Sequence, residues 1–323
     1  MILVTGGAGF IGSNLVKHLC NQGKDVAVVD HLGSEGKWRN LQDSRVWKFY
    51  APEEIMHALT AMPEAVVHLG AISSTTATNA DQVIKTNFTL SWHIWDWCKQ
   101  HKCPFIYASS AATYGDGKAG FDDDHSQLHL LKPLNLYGWS KHQFDQKVIH
   151  TVNQGKDTPP QWVGLKFFNV YGPRECHKLS QASVMWHFYN RVQQDQGIDL
   201  FKSTDPLIPD GEQSRDFVYV DDVVNVIDWF LQHPQHSGIY NVGTGGCETF
   251  QSVAQTVRHF TKPDAPIHFV NMPDNLVPIY QNHTQANISK LQGIGYNSVW
   301  TSVYQGVEKY CQWLNQTKRL PTI

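Results

Sequence analysis

The first thirty residues limit the fold of this chain more than any other stretch of the sequence. An apolar run, ILVT at residues 2–5, leads into GGAGFIG and then into the amphipathic stretch SNLVKHLCNQG, which ends at Gly23. This order predicts a strand, a glycine-rich turn and a helix. Gly6, Gly9 and Gly12 permit a tight turn and let backbone N–H groups approach a pyrophosphate. The N-terminus of the helix would then face the anion.

A second apolar run, DVAVVD at residues 25–30, predicts a buried strand that ends in an acid. Asp30 follows Gly12 by 18 residues, close to the ~20 typical of a carboxylate that binds a ribose. Together with the glycine turn, this spacing predicts a dinucleotide site. Asp30 alone favours NAD, because a carboxylate binds a 2′-hydroxyl and repels a 2′-phosphate. Lys37 and Arg39, in GSEGKWRNL, are cations that would accept the phosphate of NADP, so both cofactors stay open.

Further strands and helices alternate along the first half of the chain. AVVHLGA (65–71) and PFIYASSAATYG (104–115) predict strands with a helical stretch near 80–100 between them. Alternation of this kind predicts an α/β fold with a doubly wound parallel sheet, the Rossmann architecture. Ligands bind such sheets beyond the carboxyl ends of the strands, so we expect Ala71, Ser73, Ser109 and Ser110 to face one crevice.

The second half of the sequence predicts a smaller domain interleaved with the first. Residues 161–175 predict a strand that leaves the sheet, after which the regular alternation fades into shorter elements and proline-containing loops. We expect a dinucleotide-binding domain over residues 1–168, with return segments near 215–245. A smaller α/β substrate-binding domain would take residues 169–214 and 246–323.

Composition excludes several classes of function. The chain has 323 residues and a net charge of −3, which gives no basic surface for nucleic acid. We expect a small-molecule partner, no membrane partner and a cytoplasmic location, since no stretch reaches ~20 apolar residues and no targeting segment is recognised. The cysteines show no CxxC or other zinc spacing, and the 17 histidines form no HExxH cluster. We therefore predict free thiols and no metal.

The segment LNLYGWSK (134–141) places a phenol and an ammonium four residues apart. In a helix, Tyr137 and Lys141 would lie one turn apart on the same face. A free phenol titrates near pH ~10, and a cation held close to it favours the phenolate and lowers the pKa. We therefore expect Lys141 to lower the pKa of Tyr137.

Four motifs occur in order along the chain: GxxGxxG, SSxxxYG at Ser109–Gly115, YxxxK at Tyr137, and NVYGPR at Asn169–Arg174. This set resembles the extended short-chain dehydrogenase/reductase family, whose members modify nucleotide-activated sugars. The resemblance implies that Ser110, Tyr137 and Lys141 form a catalytic triad. Tyr137 would act on the substrate hydroxyl, Ser110 would stabilise the developing oxyanion, and Lys141 would also hold the nicotinamide ribose.

Longer motifs, among them KFFNVYGPRECHK, RDFVYVDDV and YQNHTQAN, resemble the ADP-heptose 6-epimerase branch of that family, which serves lipopolysaccharide core synthesis. The resemblance implies inversion at C6″ through a 6″-ketone, with Lys178 as a second acid/base. The ketone must present opposite faces to the same hydride, so one acid/base cannot serve both poses. Cys176 and Leu179 stand where this branch has glycines, so we expect a stiffer segment around Lys178.

The resemblance also implies two sets of binding residues and a homo-oligomer, a pentamer in this branch. Around the cofactor it places Gly6, Gly9, Phe10, Ile11, Gly12, Asp30, His31, Lys37, Leu69, Gly70, Ala71, Ile72, Ser73, Asn87, Lys141, Val170 and Lys178, and the match of Lys37 to a 2′-phosphate contact favours NADP. Around the sugar nucleotide it places Asn169, Ser180, His187, Phe201, Lys202, Ser203, Thr204, Arg215 and Tyr280. Arg215 suits a diphosphate, because guanidinium binds phosphate oxygens in a bidentate manner.

Three alternatives remain at this stage. A nucleotide-sugar 4-epimerase acting on a UDP-hexose would share the fold and the Tyr–Lys pair but would not need Lys178. A 4,6-dehydratase would need acid/base groups where this chain has Ala111 and Ala112. A non-catalytic nucleotide-binding protein would have little reason to keep Ser110, Tyr137 and Lys141, which are costly to bury.

Overall fold

The computed structural model of the chain describes residues 1–34, 36–274, 276–277 and 280–317. Its strands are β1 (Ile2–Thr5), β2 (Val26–Val29), β3 (Lys48–Tyr50), β4 (Ala65–His68), β5 (Phe105–Ser110), β6 (Trp162–Phe167), β7 (Asn169–Tyr171), β8 (Ile198–Phe201), β9 (Ser214–Arg215), β10 (Phe217–Tyr219), β11 (Gly238–Val242), β12 (Glu248–Thr249) and β13 (Ile267–Val270).

The α-helices are α1 (Phe10–Asn21), α2 (Ile55–Leu59), α3 (Ala80–Ile84), α4 (Leu90–Gln100), α5 (Leu136–Asn153), α6 (Val184–Gln193), α7 (Val220–Gln232), α8 (Phe250–His259), α9 (Ser289–Gly293) and α10 (Val303–Thr317). A π-helical turn, Lys85–Thr89, joins α3 to α4. Short 3₁₀ segments occur at Lys37–Leu41, Pro52–Glu54, Ala111–Tyr114, His125–Leu130 and Cys176–Gln181.

The main sheet is parallel throughout, with the strand order β11-β6-β5-β4-β1-β2-β3. Its strands are nearly continuous apolar runs, as expected when helices cover both faces. Neighbouring residues of β1 show this: Leu3 packs into the cluster that contains Phe144 of α5, while Val4 packs on the other face with Leu15 of α1. The chain reverses its direction of winding between β1 and β4, where doubly wound sheets bind ligands. The predicted Rossmann fold is confirmed.

The prediction for residues 161–175 was partly wrong. We expected one strand leaving the sheet, but β6 lies inside it, between β5 and β11. Gly164 allows β6 to pair directly with β5, because a Cβ at residue 164 would lie 2.5 Å from the hydroxyl oxygen of Tyr107 on β5. Only β7 leaves, and it pairs with β10.

The remaining strands form two-stranded sheets, β10-β7, β12-β9 and β13-β8. A separate apolar cluster joins α6, α8 and α10 to them, with Tyr189, Val253 and Val307 fully buried. These elements form the smaller α/β part of the fold. The domain boundaries at 168/169, 214/215 and 245/246 stay a prediction, and residues 318–323 lie outside the described part. Among the described helices, none is long and apolar enough to cross a membrane.

Candidate active site

The glycine turn between β1 and α1 has no room for side chains. A Cβ on Gly12 would lie 2.1 Å from the carbonyl oxygen of Gly6, and a Cβ on Gly6 would lie 2.7 Å from the backbone nitrogen of Gly70. Gly6 also adopts a φ of 67°, which favours glycine. Gly9 begins α1, and no side chain within the described residues caps it. The turn therefore leaves backbone N–H groups of α1 to a pyrophosphate, and the chain's residues fit a dinucleotide at this place.

Asp30 and Lys37 form an ion pair beside this turn. The Lys37 Nζ lies 2.6 Å from Asp30 Oδ1, and the backbone N–H of Ala8 donates to Asp30 Oδ2 over 2.9 Å. Lys37 also donates to the carbonyl of His31, whose exposed side chain turns towards Glu53. The carboxylate that would bind an adenosine ribose is thus partly neutralised by the lysine next to it.

Asn87 lies in the π-helical turn and holds the loop after β4. Its amide accepts from the backbone nitrogen of Ile72 over 2.8 Å and donates to the Ile72 carbonyl over 2.9 Å. It also donates to Ser140 Oγ, which in turn donates to the carbonyl of Tyr137. A π turn widens a helix and is frequent at functional sites. Asn87 therefore links the loop 69–73, where we expected cofactor contacts, to the start of α5.

His68, at the end of β4, belongs to the same network, although sequence reasoning gave it no role. Its Nδ1 lies 2.7 Å from Thr5 Oγ1 and its Nε2 lies 2.9 Å from Ser91 Oγ. Thr5 accepts from the N–H of Gly70, and Ser91 donates to the carbonyl of Asn87, so the proton of His68 sits on Nε2. Burial lowers the pKa of His68 to about 3. The ring is a neutral connector between the glycine turn and the π turn.

Tyr137 lies in the first turn of α5. The helix begins there because Asn135 caps it, accepting from the N–H of Gly138 over 2.8 Å. Gly138 is needed for close approach, since a Cβ there would lie 2.6 Å from the carbonyl oxygen of Ala112. This approach brings Tyr137 to Ser110 at the end of β5. Burial raises the pKa of the phenol, and a hydrogen bond with Ser110 opposes that rise.

The expectation that Lys141 lowers the pKa of Tyr137 was wrong for this structure. Burial raises the pKa of Tyr137 above its usual value, and the Lys141 Nζ donates to the carbonyl of Ala108 over 2.8 Å instead. Burial also lowers the pKa of Lys141 to about 8, with Asp145 opposing that effect. Lys141 thus fixes α5 to β5 directly before Ser110.

A buried ion pair lies beneath these residues. Asp145, four residues after Lys141 and on the same helical face, receives 2.7 Å and 2.6 Å hydrogen bonds from Lys166 Nζ and Ser109 Oγ. Tyr107 donates to its other oxygen over 3.0 Å, and both charged side chains have 0% exposure. Sequence reasoning missed this pair, although the spacing 137, 141, 145 was the signal that would have found Asp145.

A cavity of about 350 Å³ opens above Ser110 and Tyr137. Asn169 lines it from β7, and Arg215 and Tyr280 line it from the smaller part of the fold. Arg215 is buried, with its guanidinium carbon 5.0 Å from the ring centre of Tyr280. The structure therefore brings the predicted catalytic pair and several predicted substrate residues to one pocket. Gln281 and Thr284 also line it; both lie in the motif YQNHTQAN, although sequence reasoning gave neither a role.

Lys178 lies on the side of the glycine turn. Its Nζ is 5.3 Å from the ring centre of Phe10, and burial lowers its pKa while Glu175 opposes that effect. The next residue, Leu179, has φ 49° and ψ −117°, a backbone conformation that an L side chain rarely adopts. The expected stiffening of this segment thus takes the form of a strained leucine.

Other predicted residues lie apart from the cavity. Among the described residues, Ser180, His187 and 202–204 do not line it. Ser203 is used within its own turn, bonded to Asp205 and Asp210. His187 packs its ring against Trp186 on α6. Phe201 reaches the pocket only through its edge contact with the ring of Tyr280. Val170 pairs with Val218 between β7 and β10.

The fold and this site define a class: an enzyme with a Rossmann nucleotide-binding sheet and a Ser–Tyr–Lys set where α5 packs against the end of β5. A model described as the NAD dependent epimerase/dehydratase family matches residues 2–243. This chain belongs to the NAD dependent epimerase/dehydratase family, and a nicotinamide dinucleotide is its cofactor.

Three individual proteins are similar to this chain over nearly its full length. An ADP-L-glycero-D-manno-heptose-6-epimerase of Fusobacterium nucleatum is 42% identical, with 97% of each chain covered. The crystal structure of the enzyme of that name from Helicobacter pylori has a TM-score of 0.82 at 29% identity and covers 97% of this chain and 96% of its own. A UDP-glucose 4-epimerase of Thermotoga maritima, solved with UDP-glucose, has a TM-score of 0.80 at 27% identity, with 98% and 99% covered.

Proposed function

We propose that this chain is an isomerase that inverts C6″ of ADP-D-glycero-D-manno-heptose to give the L-glycero isomer. The reaction passes through a transient 6″-ketone and serves the synthesis of lipopolysaccharide core precursors in the cytoplasm. Two acid/base groups on different elements carry the proposal. Tyr137 lines the pocket from α5, while Lys178, on the segment 176–181, lies beside Phe10 at the glycine turn and is not among the described residues that line the pocket. A relative 42% identical over the full length bears the name of this activity.

The proposed chemistry assigns each group a task. A nicotinamide dinucleotide held at the glycine turn would supply reversible hydride exchange with C6″, so no net oxidation would occur. Tyr137 takes or gives the proton of the C6″ hydroxyl in one pose, with Ser110 hydrogen-bonded to its phenol. Lys178 does the same in the other pose, and its lowered pKa suits an amine that must exchange protons near neutral pH. Arg215 holds the diphosphate, because it is the buried guanidinium at the pocket wall.

We propose NADP rather than NAD as the cofactor. The argument is the ion pair of Lys37 with Asp30, which offsets the negative charge that would repel a 2′-phosphate. Replacement of Lys37 by Met should remove any preference for NADP in calorimetric titrations of the cofactor-free protein. Equal affinities of the unchanged protein for NAD and NADP would contradict this assignment.

The central test is conversion of ADP-D-glycero-D-manno-heptose, followed at C6″ by NMR, with UDP-galactose in parallel. Conversion to the L-glycero isomer without added cofactor would support both the substrate and a retained dinucleotide. Tyr137→Phe and Lys178→Met should each lower turnover by about 10²–10⁴-fold while the cofactor stays bound. Interconversion of the UDP-hexose instead, unaffected by Lys178→Met, would favour a 4-epimerase, for which the Thermotoga maritima structure is the specific precedent.

We also propose a homo-oligomer, a pentamer by the family resemblance. Trp38 and Trp47 support an interface near β3, because each exposes about half of its large apolar surface. Light scattering of the purified protein would test this: a monomer mass would refute it.

A further inference from the structure

Two consecutive residues, Arg174 and Glu175, connect the segment that carries Lys178 to two different parts of the fold. Arg174 Nη2 makes two 2.7 Å contacts to the carboxylate of Asp43, and Nη1 donates to the carbonyls of Ser13 and Asn40. This side chain ties the segment to α1 and to the turn 37–41. Glu175 points the opposite way, towards α6.

Glu175 is a completely buried carboxylate with three donors. The N–H and the hydroxyl of Ser183 each donate to it over 2.6 Å, and the N–H of Gly172 donates over 3.3 Å. Ser183 is the residue that caps α6. A hydroxyl contact of 2.6 Å is typical of an ionised acceptor. One carboxylate therefore joins the residues that precede and follow Lys178.

Few other charges surround this carboxylate. Its own segment presents the amine of Lys178 and the thiol of Cys176, and α10 presents the phenol of Tyr310, whose pKa is raised by burial and also by the charge of Glu175. Lys178 in turn faces Glu175, His177 on its own segment and the uncharged ring of Phe10 on α1. Glu175 is thus the anion of the described residues that favours the ammonium form of Lys178.

We propose that Glu175 is the positioning residue of Lys178: it anchors the segment 175–183 to α6 and keeps the Lys178 amine protonated. This rests on the proposed function, in which Lys178 as an ammonium protonates the returning alkoxide. Glu175 touches neither the hydride nor the hydroxyl. It acts by holding the strained segment, including Leu179, in the conformation that places the amine beside Phe10 at the glycine turn.

The test compares Glu175→Gln with the unchanged protein in two measurements. The first is the pH dependence of kcat/KM, where loss of the Lys178 proton should give the alkaline limb. Without the carboxylate this limb should move down by about 1 pH unit, which lowers kcat/KM about tenfold on the alkaline side. The second is competitive acetylation of Lys178 as a function of pH, read by mass spectrometry of its peptide, which titrates the amine without relying on activity.

Ser183→Ala is the matched control. It removes a hydrogen bond to Glu175 and the cap of α6 but leaves the charge, so the alkaline limb should stay in place even if stability falls. A purely structural role of Glu175 would shift both variants alike and would overturn the proposal, as would an unchanged acetylation profile in Glu175→Gln. If Glu175→Gln does not fold, Glu175→Asp replaces it, because its shorter side chain moves the carboxylate one methylene away from the Lys178 amine: a lower titration point of Lys178 supports the proposal, and an identical one refutes it.

Failure of the proposed function would be visible separately. If the unchanged protein does not epimerise the heptose, the proposed activity is wrong. The acetylation profile of Lys178 still decides whether Glu175 controls its proton.

Discussion

The buried pair of Asp145 and Lys166 predicts a non-additive effect on stability. Both side chains have 0% exposure, and their charged atoms lie 2.7 Å apart. Asp145→Asn leaves an ammonium in the core without its negatively charged partner, so that only neutral oxygens, such as the hydroxyl of Thr113, remain close to it. Removal of one partner of a buried pair costs about 3–5 kcal/mol, because the other charge stays unpaired. We expect the free energy of unfolding to fall by that amount.

The double variant Asp145→Asn, Lys166→Met should be more stable than Asp145→Asn alone. It buries no charge, and the Asn oxygen still accepts from Ser109 or Tyr107. Replacement of both partners of a buried pair is often close to neutral. Lys166→Met alone should cost less than Asp145→Asn, because two hydroxyls continue to donate to the carboxylate.

Urea unfolding followed by tryptophan fluorescence would measure this double-mutant cycle. The matched control is Asp96→Asn, which removes the partner of Lys99 in an exposed i,i+3 pair on α4 and should cost about 1 kcal/mol at most. If Asp145→Asn costs no more than Asp96→Asn, or if the effects of the two core substitutions simply add, the two buried charges do not compensate each other.

Two further predictions concern the strained leucine and the buried histidine. Leu179→Gly should leave the free energy of unfolding unchanged or raise it by up to about 1 kcal/mol, because glycine adopts φ 49° without strain. The control is Leu207→Gly, at an exposed position without positive φ, which should lower the melting temperature instead. His68 binds a proton at about pH 3 in the folded chain and near pH 6.5 when unfolded, so the unfolding free energy should fall by about 1.4 kcal/mol per pH unit as pH drops from 6.5 towards 3. His68→Gln should flatten this slope in urea titrations at several pH values, and an unchanged slope would contradict the assignment.

The parts of the fold that follow local rules were predictable from sequence. The glycine turn needs Gly6 and Gly12 because backbone atoms occupy the space where side chains would be, and glycine spacing records that need directly. The spacing of Tyr137 and Lys141 likewise records one helical face. Such features depend on neighbours in sequence, so the pattern alone predicts them.

Features that depend on distant contacts were not predictable in the same way. The hydrogen bond of Lys141 to the Ala108 carbonyl, rather than an effect on Tyr137, results from how deeply α5 packs against β5. Gly164 allows β6 to join the sheet only because Tyr107 lies opposite it. In the sequence Glu175 is an ordinary acidic residue of a loop. Its burial and its hydrogen bonds to Ser183 are visible only in the structure.

Arg174 and Glu175 connect the segment that carries Lys178 to both parts of the fold. Arg174 ties the Lys178 segment to α1 and to Asp43, which belong to the nucleotide-binding half, while Glu175 ties it to the cap of α6, in the smaller part of the fold. A shift of one half relative to the other would therefore move Lys178, the proposed second acid/base, because both anchors are short, and Glu175 is completely buried. Tyr137, the proposed first acid/base, is fixed separately through Asn135, Ser140 and Asn87. In the proposed reaction the ketone must accept the hydride on either face, so it needs two proton donors that are anchored independently of each other.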